Sequence, residues 1–276
     1  MLKFFLRLAI KKLKPLLLLI ANFALPNRCL ACGLITSNPL TLCADCWNEI
    51  PRCDELSCTK CSLPIVGLVS ENLFFDKKLG RNILKCDMCH ANQNSFDALF
   101  SSCLYSKTTS ILASGLKFGG RVENAEFFAK QILQRLQAQE LFSFDIITCV
   151  PLSKKGLLMR RYNQAALIAK YIHKTLAKQS AKTIFFMPNL LIKVKHTMPQ
   201  TKLNKQQRIA NLKDCFAVNK TLLEKNPSLA GKTILVVDDV ATTLATLNEA
   251  SFTIASHPLL KAKYITCATF ARVDIV

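Results

Sequence analysis

The sequence predicts an α/β domain with a mostly parallel sheet, preceded by a small cysteine-rich domain. Three observations predict it. Short β-branched apolar runs alternate with helical periodicity over the last two-thirds of the chain, the pattern of strand–helix–strand units. Cysteines gather as C-x-x-C pairs in the first third. The run "TILVVDD" ends in two adjacent acids and leads into a turn rich in hydroxyls.

The chain has 276 residues, enough for one large domain or for a small and a medium one. Half of its residues are hydrophobic, which excludes a disordered chain. Lysine and arginine total 37 against 18 acids, a formal charge of +19. Such a surface favours phosphates: nucleic acid, phosphorylated small molecules or an anionic membrane face. Its plainer reading is a basic, solvated surface without a partner. Composition divides the chain into residues 1–25, 26–95 and 96–276.

Residues 1–25 are apolar and basic, with lysines and Arg7 running through to Lys14. Only residues 15–25 are free of charge, too short a run to span a bilayer. No small-residue cleavage site follows them. A basic amphipathic helix is expected here, packed on the domain or lying at the inner membrane surface, with no transmembrane helix.

Thirteen cysteines, mostly paired as C-x-x-C, argue for metal ligation in a reducing compartment and against a secreted disulfide scaffold. A C-x-x-C knuckle points two thiolates at one ion, and two knuckles complete a tetrahedral site. Cys29/Cys32 and Cys43/Cys46 lie ten residues apart, with Gly33 suited to the tight turn of the first knuckle. Cys58/Cys61 and Cys86/Cys89 follow across a longer insertion. Sequential pairing predicts one or two structural Zn2+ ions in a double ribbon over residues 26–95; crossed pairing is the alternative. Four thiolates leave no open position for zinc-bound water. His90 is expected at the surface and Cys53 outside the ligand sets. Cys103, Cys149, Cys215 and Cys267 lie in apolar context and are expected as small buried hydrophobes. Trp47, the single tryptophan, is expected in the core and not as a base-stacking platform.

In residues 96–276, "LFSSCLYS" at 99–106 reads as a strand, and a helical stretch broken at Gly119-Gly120 follows. "FDIITCVPL" at 144–152 is a buried strand stopped by Pro151. Residues 163–179 show helical spacing with Asn163 as cap. "TILVVDD" is another buried strand, "TLATLNEASFTIAS" a helix, and "YITCATFAR" at 264–272 the last strand.

Asp238 and Asp239 therefore stand at a strand's carboxyl end, where ligands bind in open α/β sheets. The turn at 241–246 would offer backbone N–H groups, a helix dipole and the hydroxyls of Thr242, Thr243 and Thr246 to a phosphate. Two carboxylates beside a phosphate suit a sugar diol and Mg2+. The ligand so described is a ribose 5-phosphate. Its plainer counterpart is a buried strand with a polar helix cap.

"VVDDVATTLAT" resembles the phosphoribosyl-pyrophosphate (PRPP) signature of type I phosphoribosyltransferases. Within that superfamily the chain resembles the ComF family of competence and DNA-utilisation proteins. The further matches are "PNRCLACG", "GLKFGGR", "VPLSKKGLLMRRYNQA", "TMPQTKLNKQQRIANLKDCF" and "ATFAR", in order along the chain. The resemblance implies a type I phosphoribosyltransferase-like fold over 96–276. It gives Asp238 and Asp239 the ribose hydroxyls, and any catalytic part. Ala241, Thr242, Thr243, Leu244, Ala245 and Thr246 would take the 5-phosphate, and Ser153, Lys154, Lys155 and Gly156 the pyrophosphate. Arg160, Arg161, Asn163 and Gln164 would brace that second loop. Thr197, Gln200, Arg208 and Asn211 match a mobile segment that closes over the site.

Three departures from the family pattern carry expectations. Leucine stands at 244 where glycine is usual; a positive φ there costs on the order of 1 kcal/mol and crowds the phosphate. Arg161-Tyr162 replaces glycine-phenylalanine. Lys193 replaces arginine and gives up a bidentate grip.

The function implied is a PRPP-binding, ComF-like protein that handles incoming single-stranded DNA during natural transformation. It would act in the cytoplasm or at the inner membrane face, beside the DNA-uptake machinery. Two alternatives stand with it: an active phosphoribosyltransferase of unidentified acceptor, and a zinc-ribbon nucleic-acid binding protein whose transferase domain has lost its ligand.

Overall fold

Runs in which every residue is apolar or small become central parallel strands, because a sheet covered on both faces offers no wet side. A computed structural model describes residues 26–53, 56–65, 69–78, 80–91, 94–139, 143–195, 207 and 211–274. The expected N-terminal helix, and Thr197, Gln200 and Arg208, lie outside the described residues. The chain divides into two compact units, Met1–Glu49 and Ile50–Val276.

The described part of the first unit is built on its cysteines. The amide of Cys29 donates to Leu34 O (2.7 Å) and that of Gly33 to Cys29 O (3.0 Å), closing the first knuckle. Gly33 has φ +81°, the left-handed conformation a knuckle turn asks for. Helix α1 (Ala44–Asn48) carries the second knuckle, and Leu30 and Leu42 are buried beneath. Trp47 is half-buried on α1.

The second unit opens with the second ribbon. Strands β1 (Leu73–Asp76) and β2 (Arg81–Leu84) form an antiparallel hairpin, followed by the short helix α2 (Asp87–Ala91). In this ribbon Ser62 follows the first knuckle and takes φ +60°. Its hydroxyl donates to Leu99 O (2.7 Å) and accepts from the Ser101 amide (2.8 Å). Those two bonds fasten the knuckle to β3 (Ala98–Leu104), the edge strand of the main sheet. Further along the same edge, the Leu99 amide donates to Thr59 O (2.9 Å) and the Leu104 amide to Pro51 O (2.8 Å).

The main sheet is parallel, in the order β3, β10 (Tyr264–Arg272), β8 (Thr233–Val237), β4 (Ile146–Cys149), β5 (Phe185–Phe186). The two-residue strand β9 (Val240–Ala241) adds to β10 beyond β8. A separate hairpin pairs β6 (Leu191–Lys193) with β7 (Phe216–Val218), and the short helix α7 (Lys220–Glu224) follows it. Every residue of β10 is buried, as a central strand covered on both faces requires, the polar Thr266, Thr269 and Arg272 included.

Alternation along the strands sorts the two faces. Ile234, Val236, Ile265 and Cys267 face Leu247, Ala250 and Ile254 of α8 (Ala245–Ala255). On the other side Phe270 stacks on Phe128, ring centroids 3.8 Å apart and planes 6° from parallel, with Phe127 edge-on at 5.9 Å. Both phenylalanines belong to α4 (Glu123–Ala138), which with α6 (Gln164–Gln179) covers that face. Helix α3 (Lys107–Phe118) precedes α4, its N-terminus closed by a capping box between Ser106 and Thr109. It stops at Gly119, where a Cβ would lie 3.0 Å from Gly115 O, and Gly120 turns away at φ +67°. The break expected at this pair is the break observed.

Candidate functional site

The strand β8 delivers Asp238 and Asp239 to the carboxyl edge of the sheet. Both are held there by backbone bonds to β10: the Asp238 amide donates to Ala268 O (3.0 Å), and the Phe270 amide to Asp239 O (3.0 Å). The acids also brace one another. The Asp239 amide donates to Asp238 Oδ1 (2.9 Å), and the Val240 amide to Asp239 Oδ1 (2.9 Å). Asp239 is 3% exposed, and its Oδ2 lies 2.8 Å from Nζ of Lys117, the penultimate residue of α3.

Two like charges in a partly dry site cannot both ionise freely. Burial and then the charge of Asp239 push the Asp238 carboxyl up to about 8, against the pull of Lys117. Burial alone would lower the pKa of Lys117, but the Asp239 carboxylate outweighs it and the ammonium is held charged.

After Asp239 the chain makes the β9 pairing and turns at Leu244, φ +64° and ψ −4°, into α8. Leucine offers no capping group, so no N-cap side chain bonds the first turn of α8. The positive end of a helix suits an anion. The side chain of Leu244 packs sideways, against the Cys58, Cys61 and Cys89 cluster and the Leu247 core.

A cavity of about 1020 Å3 brings these features together. Asp238, Asp239, Ala241, Thr242, Leu244, Thr246 and Gly156 line it, as do Lys117, Arg160, Arg161 and Lys193. Thr243 and Ala245 are not among the lining residues, nor are Ser153, Lys154 and Lys155. Ser153 instead caps α5 (Lys154–Arg160), its hydroxyl accepting from the Gly156 amide at 3.1 Å. Lys154 and Lys155 are exposed on the first turn of that helix.

The second loop is fixed from behind. Asn163 caps α6 by accepting from the Ala165 and Ala166 amides (3.0 and 3.4 Å), and its Nδ2 donates to Val150 O (3.0 Å). Tyr162 donates its hydroxyl proton to Leu116 O at 2.5 Å, a bond phenylalanine could not make. Arg161 takes φ +67°, so both positions where the resemblance leads one to expect glycine, 161 and 244, are left-handed here. The Arg160 guanidinium sits over the Phe118 ring at 5.1 Å. Lys193 lies 5.9 Å from the Phe216 ring centre, and burial lowers its pKa.

Lys117 and Arg272 are the residues that sequence reasoning assigned no role. Both lie in stretches that match the family pattern, "GLKFGGR" and "ATFAR", and that match is their one signal in the sequence. Arg272, at the end of β10 and 4% exposed, donates from Nε to Cys61 O (2.9 Å) and from Nη1 to Ala241 O (3.2 Å), Thr242 O and Val273 O (2.7 Å).

The metal centres follow the sequential pairing. Sγ atoms of Cys29, Cys32, Cys43 and Cys46 lie within 4.8 Å of one another, and those of Cys58, Cys61, Cys86 and Cys89 do likewise. Four soft sulfur donors converging on one point fit structural zinc. Cys53 belongs to neither set among the described residues, and His90 is exposed, its ring tilted 45° against that of Phe74 at 4.9 Å. Cys103, Cys149, Cys215 and Cys267 are buried. The carboxylate pair alone does not make a cation site; oxygens of a bound ligand would have to complete one for Mg2+.

Fold and site together define an α/β protein with a double zinc ribbon and a diaspartate at the sheet end. The double zinc ribbon domain model matches residues 20–90. Competence protein F of Haemophilus influenzae is 27% identical over 234 residues, covering 81% of this chain and 89% of that protein. DNA utilization protein YhgH of Salmonella typhi is 26% identical over 230 residues, covering 81% and 88%. These matches support an assignment to the ComF family of competence and DNA-utilisation proteins. No helix among the described residues is long and apolar enough to cross a membrane.

Proposed function

We propose that this chain binds PRPP at the carboxyl end of β8 and acts, as a ComF-type protein, in handling single-stranded DNA during natural transformation. One observation carries the reading: a diaspartate, a left-handed turn and an uncapped helix N-terminus meet at one cavity. Carboxylates accept from the ribose hydroxyls, and the α8 amides hold the 5-phosphate. Lys193, Arg160 and Arg161, on the same cavity, supply positive charge for the pyrophosphate, with Mg2+ carried in by the ligand. The names of the two relatives support the competence and DNA-utilisation role. The charge of +19 supports contact with a nucleic-acid backbone, in the cytoplasm or at the inner membrane face near the uptake machinery.

Calorimetric titration of PRPP with Mg2+ tests the reading. Saturable heat and a raised melting temperature are expected, about 2.7 kcal/mol of stabilisation at a hundredfold excess over Kd. Absence of both overturns it. Release of pyrophosphate on adding nucleobases or amines would extend the reading to turnover.

A second reading, a zinc-ribbon nucleic-acid binder with a ligand-free α/β domain, is favoured by Leu244, which lines the cavity where a phosphate would sit. Steeply salt-dependent single-strand binding without PRPP binding would select it.

A further inference from the structure

Arg272 touches two places that sequence keeps far apart. Its Nε donates to the carbonyl of Cys61, a ligand of the second cysteine cluster, 211 residues away. Its Nη1 donates to the carbonyls of Ala241 and Thr242, where the turn after the diaspartate begins. A guanidinium this buried needs acceptors in fixed directions, and these backbone oxygens, with that of Val273, supply them. In a trans peptide the N–H points opposite to the C=O. Holding the oxygens of residues 241 and 242 therefore directs the amides of Thr242 and Thr243 away from the guanidinium. Leu244 makes a second link, packing from the same turn onto Cys58, Cys61 and Cys89. Ser62, next to Cys61, fixes the knuckle to β3, so the cluster is anchored to the sheet and not free to follow the turn.

We propose that Arg272 is a positioning residue coupling the metal of the second cysteine cluster to the 241–246 turn: zinc there holds the turn in its ligand-competent form, and ligand in turn tightens zinc binding. The reciprocity is required of any such coupling, and factors of about 5 to 150 are ordinary. The ligand half of the proposal rests on the PRPP reading above; the metal half does not.

The test uses the full zinc-loaded chain and its Arg272→Met, Arg272→Lys, Cys86→Ser and Cys32→Ser variants. Amide hydrogen exchange is followed at residues 241–247, with β4 and β8 as the fold control. Exchange in the turn should accelerate about tenfold in Arg272→Met and Cys86→Ser and stay unchanged in Cys32→Ser, whose lost ligand belongs to the first cluster. Arg272→Lys, which keeps the charge but not the fork, should fall between. In the parent, PRPP with Mg2+ should lower the share of zinc that a competing chromogenic chelator takes at equilibrium, and in Arg272→Met it should not. Where Arg272→Met loses β8 protection, the chelator-stripped parent takes its place. Turn exchange that ignores both Cys86→Ser and metal stripping overturns the proposal. A parent that fails to bind PRPP sinks the PRPP reading, while the exchange data still decide whether metal and turn are coupled.

Discussion

Lys117 Nζ and Asp239 Oδ2 meet at 2.8 Å, one at the end of α3 and the other at the end of β8, with side-chain exposures of 25% and 4%. This contact places a fixed cation beside the acid pair. A buried carboxylate left without its partner is costly, even after allowing for the part of Lys117 that reaches water. Lys117→Met should destabilise the ligand-free protein by on the order of 2 kcal/mol. Adding Asp239→Asn should recover most of that loss, a coupling of about 1–3 kcal/mol in a double-mutant cycle read by urea unfolding. Additive single effects would show that the pair carries no net interaction.

Asp238 gives a signed pH dependence. Folded, its carboxyl is pushed up to about 8; unfolded, it returns to its ordinary 3.8. Between those values the folded chain holds the extra proton, so this group lowers stability as pH rises from 3.8 to about 8 and adds nothing further above. Asp238→Asn removes the effect. Relative to the parent, the variant should therefore gain melting temperature steadily from pH 5 to pH 8, and a flat difference would exclude the raised pKa.

The double variant Asp238→Asn/Asp239→Asn should abolish PRPP binding while keeping the fold and both metals. Calorimetry beside a metal assay checks it, and undiminished binding removes the two acids from the site.

At Leu244 backbone strain and packing oppose one another. Left-handed φ costs a side-chain-bearing residue roughly 1–2 kcal/mol, while the leucine buries apolar surface against both clusters. Leu244→Ala keeps the strain and loses the packing; Leu244→Gly loses both. The glycine variant should then be more stable than the alanine variant by about 1 kcal/mol, measured by denaturant unfolding. It should also bind PRPP more tightly than the parent if the leucine crowds the phosphate.

Much of this architecture is written in local pattern. The run at 264–272 is mostly apolar and is buried throughout. Asn163 caps the helix it precedes. Thiol spacing anticipated both cysteine clusters. Three things were not legible. Strand β5 is two residues long and exists because β4 pairs with it, not because Phe185-Phe186 announces a strand. Helix α5 has no apolar face to give it away: Leu157, Leu158 and Met159 are all exposed on it, and its only signal is the Ser153 cap. The partners of Lys117 and Arg272 lie on other elements, and no local period encodes a contact that tertiary folding creates. Positive φ at 161 and 244 was signalled by the resemblance alone, which leads one to expect glycine there, since arginine and leucine by themselves are the residues least expected in that conformation.

The stitching of the second ribbon along β3 reaches beyond the cavity. An open sheet ends in a strand whose amides and carbonyls invite a stranger's backbone. Here Thr59, Ser62 and Pro51 take up that row of groups on Leu99, Ser101 and Leu104. The metal-folded ribbon thus serves as the guardrail of the sheet. A cell short of zinc would hold this chain with its outermost strand bare, and self-association through that edge would be the first symptom of starvation.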